Sequence, residues 1–222
     1  HPTVMAAKTK EIHYFSNNFD KGIQWYHSMF PLKRKGYITG EATPYYLFNP
    51  LCAKRIYDYN KNLKLIIVLR DPTQRAISHY FHSIKHGFET CDIEKAINND
   101  LTSFSTFVNE ISMGDFSNIV KFQNQSYVSR GYYCQQINKY LEYFSRNQLL
   151  ILNSNDLFNE PIKTMAKVTR FLSIADFIPH DMQPKNQGDY QKGERVDRTI
   201  DYLNSIYRDE IKKLDEEFDV RF

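Results

Sequence analysis

A chain of 222 residues with 29 Lys and Arg against 26 Asp and Glu, a net charge of +3, can bury one sizeable core and shows no basic stripe of the kind that binds nucleic acid. No run of about 18 apolar residues offers a membrane span, and the first residues lack the charged-then-apolar pattern of a signal peptide. The cysteines, Cys52, Cys91 and Cys134, have neither CxxC spacing nor paired histidines for zinc, so the expectation is one soluble domain with reduced thiols, no metal, and anion affinity confined to one pocket.

A first helix is predicted from Asn18 to Phe30, where Phe19, Ile23, Tyr26 and Phe30 recur at helical spacing and Pro31 stops it. Asn49 and Pro50 open the next as N-cap and first helical residue. Leu63 to Leu69 is a continuous apolar run broken only by Lys64, the pattern of a central strand covered on both faces. Asp71 and Pro72 then start a helix through His86, closed by Gly87. Phe104, Phe107, Val108 and Ile111 mark a helix ending at Gly114, and Tyr133, Ile137, Tyr140, Leu141 and Phe144 mark another. Leu149 to Leu152 reads as a second buried strand. It precedes a helix from Pro161 whose apolar face is Ile162, Met165, Thr169 and Leu172. The last helix, from about Asp197, buries Ile200, Leu203, Tyr207, Leu214 and Phe218, with the charged run 208–217 on its solvated face. Strand runs alternating with amphipathic helices predict an α/β fold with a mostly parallel sheet.

Arg70 directly follows a strand, at the carboxyl edge of a parallel sheet where ligands of open α/β folds collect. Ser78, eight residues on, lies about two helical turns into the next helix and can face the same edge. A guanidinium and a hydroxyl converging there suit a phosphate. The competing reading is an Arg70 paired with a sheet-end acid and an incidental Ser78.

LRDPTQRAISHY, residues 69–80, resembles the 3′-phosphate-binding motif of sulfotransferases that use the donor PAPS, and the resemblance assigns that phosphate to Arg70 and Ser78. KEIHYFSNNFDKGIQWYHSMFP, GEATPYYLFNP and SRGYYCQQINKYLEYFSRNQLLIL are similar, in order, to segments of heparan-sulfate-type glycan sulfotransferases and their bacterial relatives. KNQGDY and KGER resemble the loop that closes over the nucleotide. The resemblance implies a P-loop-like three-layer fold, with sulfuryl transfer from PAPS to a hydroxyl of a glycan or other hydroxylated small molecule or lipid. The product nucleotide is 3′-phosphoadenosine 5′-phosphate (PAP). By position it makes Glu11 the catalytic base and gives His13 an orienting or charge-stabilising role. Lys192 and Gly193, with Lys185 and Arg195 beside them, become donor contacts in the closing loop. Arg130 and Tyr133 are candidates to line the site, and Trp25 offers stacking surface to the acceptor.

Relatives of this kind begin with a strand, a Lys- and Gly-rich loop for the 5′-phosphosulfate, and a helix. The resemblance places the start at His1 after these, and residues 1–222 as the rest of a single domain. Ala42 stands where several heparan-sulfate enzymes carry Lys, leaving Glu41 as a substitute contact. The expected setting is a bacterial-type cytoplasm, or the Golgi lumen where an anchor lies upstream. The rival readings are a nucleotide- or glycan-binding module without turnover and a kinase on a related fold. The absence of GxxxxGK[ST] from these residues counts against the kinase.

Overall fold

A computed structural model describes residues 1–178 and 193–222. Strand β1 (Val4–Ala6) pairs in parallel with β2 (Ile38–Gly40), and between them run a 3₁₀ turn (Phe19–Lys21) and helix α1 (Gly22–Ser28). The expected helix over 18–30 is therefore split. Phe19 and Ile23 are exposed, Tyr26 alone of α1 is fully buried, and the helix ends before Pro31. Helices α2 (Tyr45–Phe48) and α3 (Cys52–Tyr59) follow. Asn49 acts three residues ahead of the helical start, its side-chain oxygen accepting the N–H of the N-cap Leu51 at 3.0 Å.

Strand β3 (Leu65–Leu69) leads into α4 (Pro72–Lys85). Here sequence and structure agree closely: Asp71 accepts the Gln74 N–H at 2.8 Å, Pro72 takes the first turn where no N–H is needed, and Gly87 supplies the positive φ after the helix. One expectation fails. Ile67 and Leu69 face the core, but Ile66 and Val68 on the opposite face are 40% and 51% exposed, so β3 is covered on one face among the described residues.

Helix α5 (Ile93–Ser112) is longer than its aromatic stripe implied, because Asp92 caps it by accepting the Lys95 N–H. Then come α6 (Ile119–Gln125), α7 (Tyr133–Leu141), β4 (Leu149–Asn153), α8 (Ser154–Asn159), α9 (Pro161–Leu172) and α10 (Glu194–Phe218). In α9 the buried positions are Thr164 and Thr169, whereas Ile162, expected on the apolar face, is exposed. β4 pairs in parallel with β3, from Leu65 opposite Leu149 to Leu69 opposite Asn153. The architecture is α/β with parallel strands, arranged among the described residues as two separate pairs.

The stripe Leu203, Tyr207, Leu214 and Phe218 of α10 is buried as predicted, and full burial of each such side chain stabilises by about 1.5–3 kcal/mol. Glu210 lies in the same stripe. Its carboxylate accepts the Cys134 N–H at 2.7 Å, giving α7 an N-terminal cap borrowed from another helix. Tyr207 is fully buried, and its hydroxyl donates to the Val128 carbonyl at 2.6 Å. A Cβ on Gly131 would lie 2.3 Å from that hydroxyl oxygen. Gly131→Ala is accordingly expected to destabilise the fold by about 1–3 kcal/mol through overpacking, read as a lower urea midpoint at unchanged slope.

Candidate functional site

Arg70 sits where β3 gives way to α4, its backbone carbonyl held by the Tyr133 hydroxyl at 2.9 Å. Its side chain borders two clefts. The smaller, about 450 Å³, lies between the N-terminal turns of α4 and α10 and includes Thr73, Gln74, Val196 and Asn204. The larger, about 510 Å³, includes Arg75, Ser78, His79, His82, Arg130 and Tyr133. The structure thus brings Arg70 and Ser78 to one cleft.

The electrostatics of this cleft are one-sided. Arg75 gives one Nη to the Tyr127 carbonyl and sets the other 3.4 Å from His79 Nδ1. Arg130 donates Nη2 to the Gln123 carbonyl at 2.7 Å, and its guanidinium lies over the rings of Tyr45 (4.9 Å) and Phe48 (5.0 Å). Burial and then the neighbouring Arg75 push its pKa down to about 10, still well above neutrality. Among the described residues, neither these two arginines nor Arg70 forms an ion pair with a carboxylate. Buried Asp100 is the nearby acid, but its oxygens are taken by the N–H groups of Val128 and Ser129 and by the Ser129 hydroxyl, at 2.5 to 2.9 Å. It braces the turn that presents Arg130. Arg75, His79 and His82 were legible as one face of α4, since they share the spacing that carries Ser78.

Glu11 and His13 are also brought together, though not by sharing a strand face as an extended segment would require. Both are left-handed, at φ 54°. The other non-glycine residues with positive φ, Ser173 and Asp219, are ordinary helix C-caps. Such strain costs about 1–3 kcal/mol per residue and persists only where surroundings impose it. The turn sets His13 Nε2 3.6 Å from Glu11 Oε2 and His13 Nδ1 3.2 Å from Ser16 Oγ. Two contacts tie this pair to the cleft. The His13 and Tyr45 rings lie 6.1 Å apart, with Arg130 over the same Tyr45, and Glu11 partly offsets the lowering of the His82 pKa by burial, His86 and Lys85.

The other candidates stand as follows. Lys185 and Lys192 lie outside the described residues. Gly193 is the exposed N-cap of α10 at φ −152°, an extended conformation open to any residue, so a turn reserved for glycine is not what it provides. Arg195 pairs with Asp92 at 3.5 Å. Trp25 lies under the Lys21 ammonium, 4.5 Å from the ring centre. Glu41, expected as an acceptor contact, has both oxygens occupied by protein hydroxyls: Tyr26 and Tyr46 on Oε1, Thr43 on Oε2.

Parallel strands flanked by helices, with an arginine at a strand end and a serine on the following helix bordering one cleft lined by further arginines, define an α/β protein with a cationic cleft at a strand edge. The family profile described as the sulfotransferase domain matches residues 4–204, and the chain belongs to that family. It is 30% identical over 176 residues to heparan sulfate glucosamine 3-O-sulfotransferase 5 of Mus musculus, covering 78% of this chain and 47% of that protein. It is 31% identical over 184 residues to bifunctional heparan sulfate N-deacetylase/N-sulfotransferase 1 of Caenorhabditis briggsae, covering 80% and 20%. The chain thus spans about half or less of the length of these curated relatives. The crystal structure of a sulfotransferase from Alicyclobacillus acidocaldarius has the same fold, with a TM-score of 0.77 at 22% identity, covering 100% of this chain and 88% of that one. Among the described residues no helix is long and apolar enough to cross a membrane.

Burial, Arg130, Arg75 and His82 together hold His79 well below the ordinary histidine range, so the folded state keeps it neutral while the unfolded chain protonates near pH 6.5. A base with a depressed folded pKa contributes stability above its unfolded value and loses it as pH falls. The parent should therefore lose stability below about pH 6.5 more steeply than His79→Gln, by up to about 1.4 kcal/mol per pH unit, in urea titrations from pH 7 to 5.

Proposed function

We propose that the protein transfers a sulfuryl group from PAPS to a hydroxyl of a glycan, releasing PAP. The observation that carries the reading is the larger cleft, where Arg70 and Ser78 share a wall with two further guanidiniums that, among the described residues, form no ion pair with a carboxylate. Uncompensated charge at a strand edge invites a multiply charged anion, and the 3′-phosphate of the donor meets that demand through charge-assisted hydrogen bonds from Arg70 and the Ser78 hydroxyl. The glycan acceptor follows from relatives named for heparan sulfate.

In the transfer, the acceptor oxygen forms a bond to sulfur as the bond from sulfur to the 5′-phosphate oxygen breaks. The bonding pair leaves on PAP, and the acceptor proton passes to the Glu11 carboxylate. Glu11 suits the task because its side chain is 40% exposed, with the exposed Lys10 ammonium 3.7 Å from one carboxylate oxygen and His13 Nε2 3.6 Å from the other. The His13 ring, fixed between Glu11 and Ser16, aims the carboxylate. Catalysis on this reading is chiefly positioning and charge stabilisation.

The division of labour has a direct test. Titration calorimetry with PAP should show binding weakened at least about tenfold by Arg70→Ala, which removes a charged hydrogen-bond donor, and left within about twofold by Glu11→Gln. Turnover of labelled PAPS on heparan-type oligosaccharides should fall by roughly 10²–10⁴-fold in Glu11→Gln. Equal loss of PAP binding in both variants would sink the assignment, and binding without any turnover would favour a non-catalytic module.

A further inference from the structure

Among the described residues the carboxylate of Glu41 forms no ion pair, yet it is the point at which several elements meet. It receives the Thr43 hydroxyl at 2.7 Å, the Tyr46 hydroxyl at 2.9 Å and the Tyr26 hydroxyl at 3.0 Å. Burial, and then Glu41 itself, push both tyrosine pKa values far up, so these groups stay protonated donors across the working pH range.

A hydroxyl has a single proton. Once Thr43 and Tyr46 commit theirs to Glu41, their lone pairs turn the other way. That is where the strained turn lies. The His13 N–H donates to Thr43 Oγ1 and the Phe15 N–H donates to Tyr46 Oη, each at 3.4 Å. Tyr26, the third donor, stacks on Tyr14 with ring centres 4.4 Å apart and planes within 13°. One carboxylate therefore governs the surroundings of His13, Tyr14 and Phe15, immediately after Glu11. A neutral amide would not serve equally, because its nitrogen donates where the carboxylate accepts, so at least one hydroxyl would have to turn its proton away and the lone pair facing the backbone N–H would move with it.

We propose that Glu41 is a positioning residue for the transfer reaction, holding the Glu11–His13 turn in its left-handed form through Thr43 and Tyr46 without touching substrate. The proposal rests on the reading of Glu11 and His13 as the reacting pair. The anchors Arg70 and Ser78 take no part in this network, so its loss should separate donor binding from turnover.

The test uses Glu41→Gln, which keeps size and shape, together with Thr43→Val and Thr43→Ser. Amide hydrogen exchange should accelerate at His13 and Phe15 in Glu41→Gln and at His13 in Thr43→Val, with the amides of α4 unchanged and Thr43→Ser matching the parent. Turnover per PAP-binding site should drop on the order of tenfold to a hundredfold in Glu41→Gln and Thr43→Val, as expected for misplaced catalytic groups, with PAP affinity preserved. The double variant should lose no more than the worse single one, since both act through one network. Unchanged exchange at His13 and Phe15, or a loss confined to global stability with full turnover per folded site, would overturn the proposal. If exchange loosens as expected while Glu11→Gln keeps parental turnover, the hold of Glu41 on the turn stands and the reading of Glu11 as base fails.

Discussion

Positive charge without a matching carboxylate is the constraint on which the rest of this structure depends. Arg70, Arg75 and Arg130 border one cleft, and like charges held together in a partly dry space cost free energy unless something offsets them. The protein offsets them with dipoles and ring faces. Tyr127 and Gln123 lend carbonyls, and Tyr45 and Phe48 lend aromatic faces, a cation–π contact contributing about 0.5–2 kcal/mol depending on exposure. None of these neutralises the charge. On the reading proposed above, the charge left over is what an anionic ligand would meet.

Keeping the guanidiniums in place explains features far from the cleft. Arg130 rides on the turn 127–131, which Asp100 braces through two backbone N–H groups and Tyr207 closes with its hydroxyl. Gly131 is required there because Tyr207 leaves no room for a side chain. The acid spent on this brace offsets Arg130 through space only in part, since burial and Arg75 still hold the Arg130 pKa down. Glu210 is used in the same way to cap α7, and α7 carries the Tyr133 that clamps Arg70. The buried acids of α5 and α10 thus hold the frame of a cationic site while staying out of it.

The sequence was most informative where local rules and tertiary context agree. The β3–α4 junction is the clearest case: an apolar strand, Asp71 as cap, Pro72 in the first turn and Gly87 at the close each have a local cause, and together they place Arg70 and Ser78 on one edge. It was least informative where a partner distant in the chain decides the outcome. The aromatic spacing over 18–30 predicts one helix, but the turn before it is built by Asn18 bonding the Ile12 carbonyl and by Arg55 bonding the Phe15 carbonyl, and the chain becomes helical only from Gly22. Glu41 was legible as a polar residue near the site, but its three hydroxyl partners could not be read from spacing. The length of α5 was hidden because its first half, from Asp92, carries little of the aromatic stripe used to find it.

The strained turn at Glu11 and His13 follows from the same logic as the cleft. On the proposed reading, a carboxylate that takes a proton must stand near Arg130 and Arg75 without pairing with either, because such an ion pair would neutralise both partners; the cation Glu11 does meet is the exposed Lys10, at 3.7 Å. Extended backbone would alternate Glu11 and His13 with Ile12 across a strand, leaving the pair free to swing. Left-handed φ at both positions instead turns Ile12 into the core, where it is 3% exposed, and crosses the two polar side chains at 3.6 Å beside Tyr45. The Tyr45 ring then separates His13 from Arg130 while remaining in contact with both. One aromatic ring thus stands between the Glu11–His13 pair and the Arg130 guanidinium.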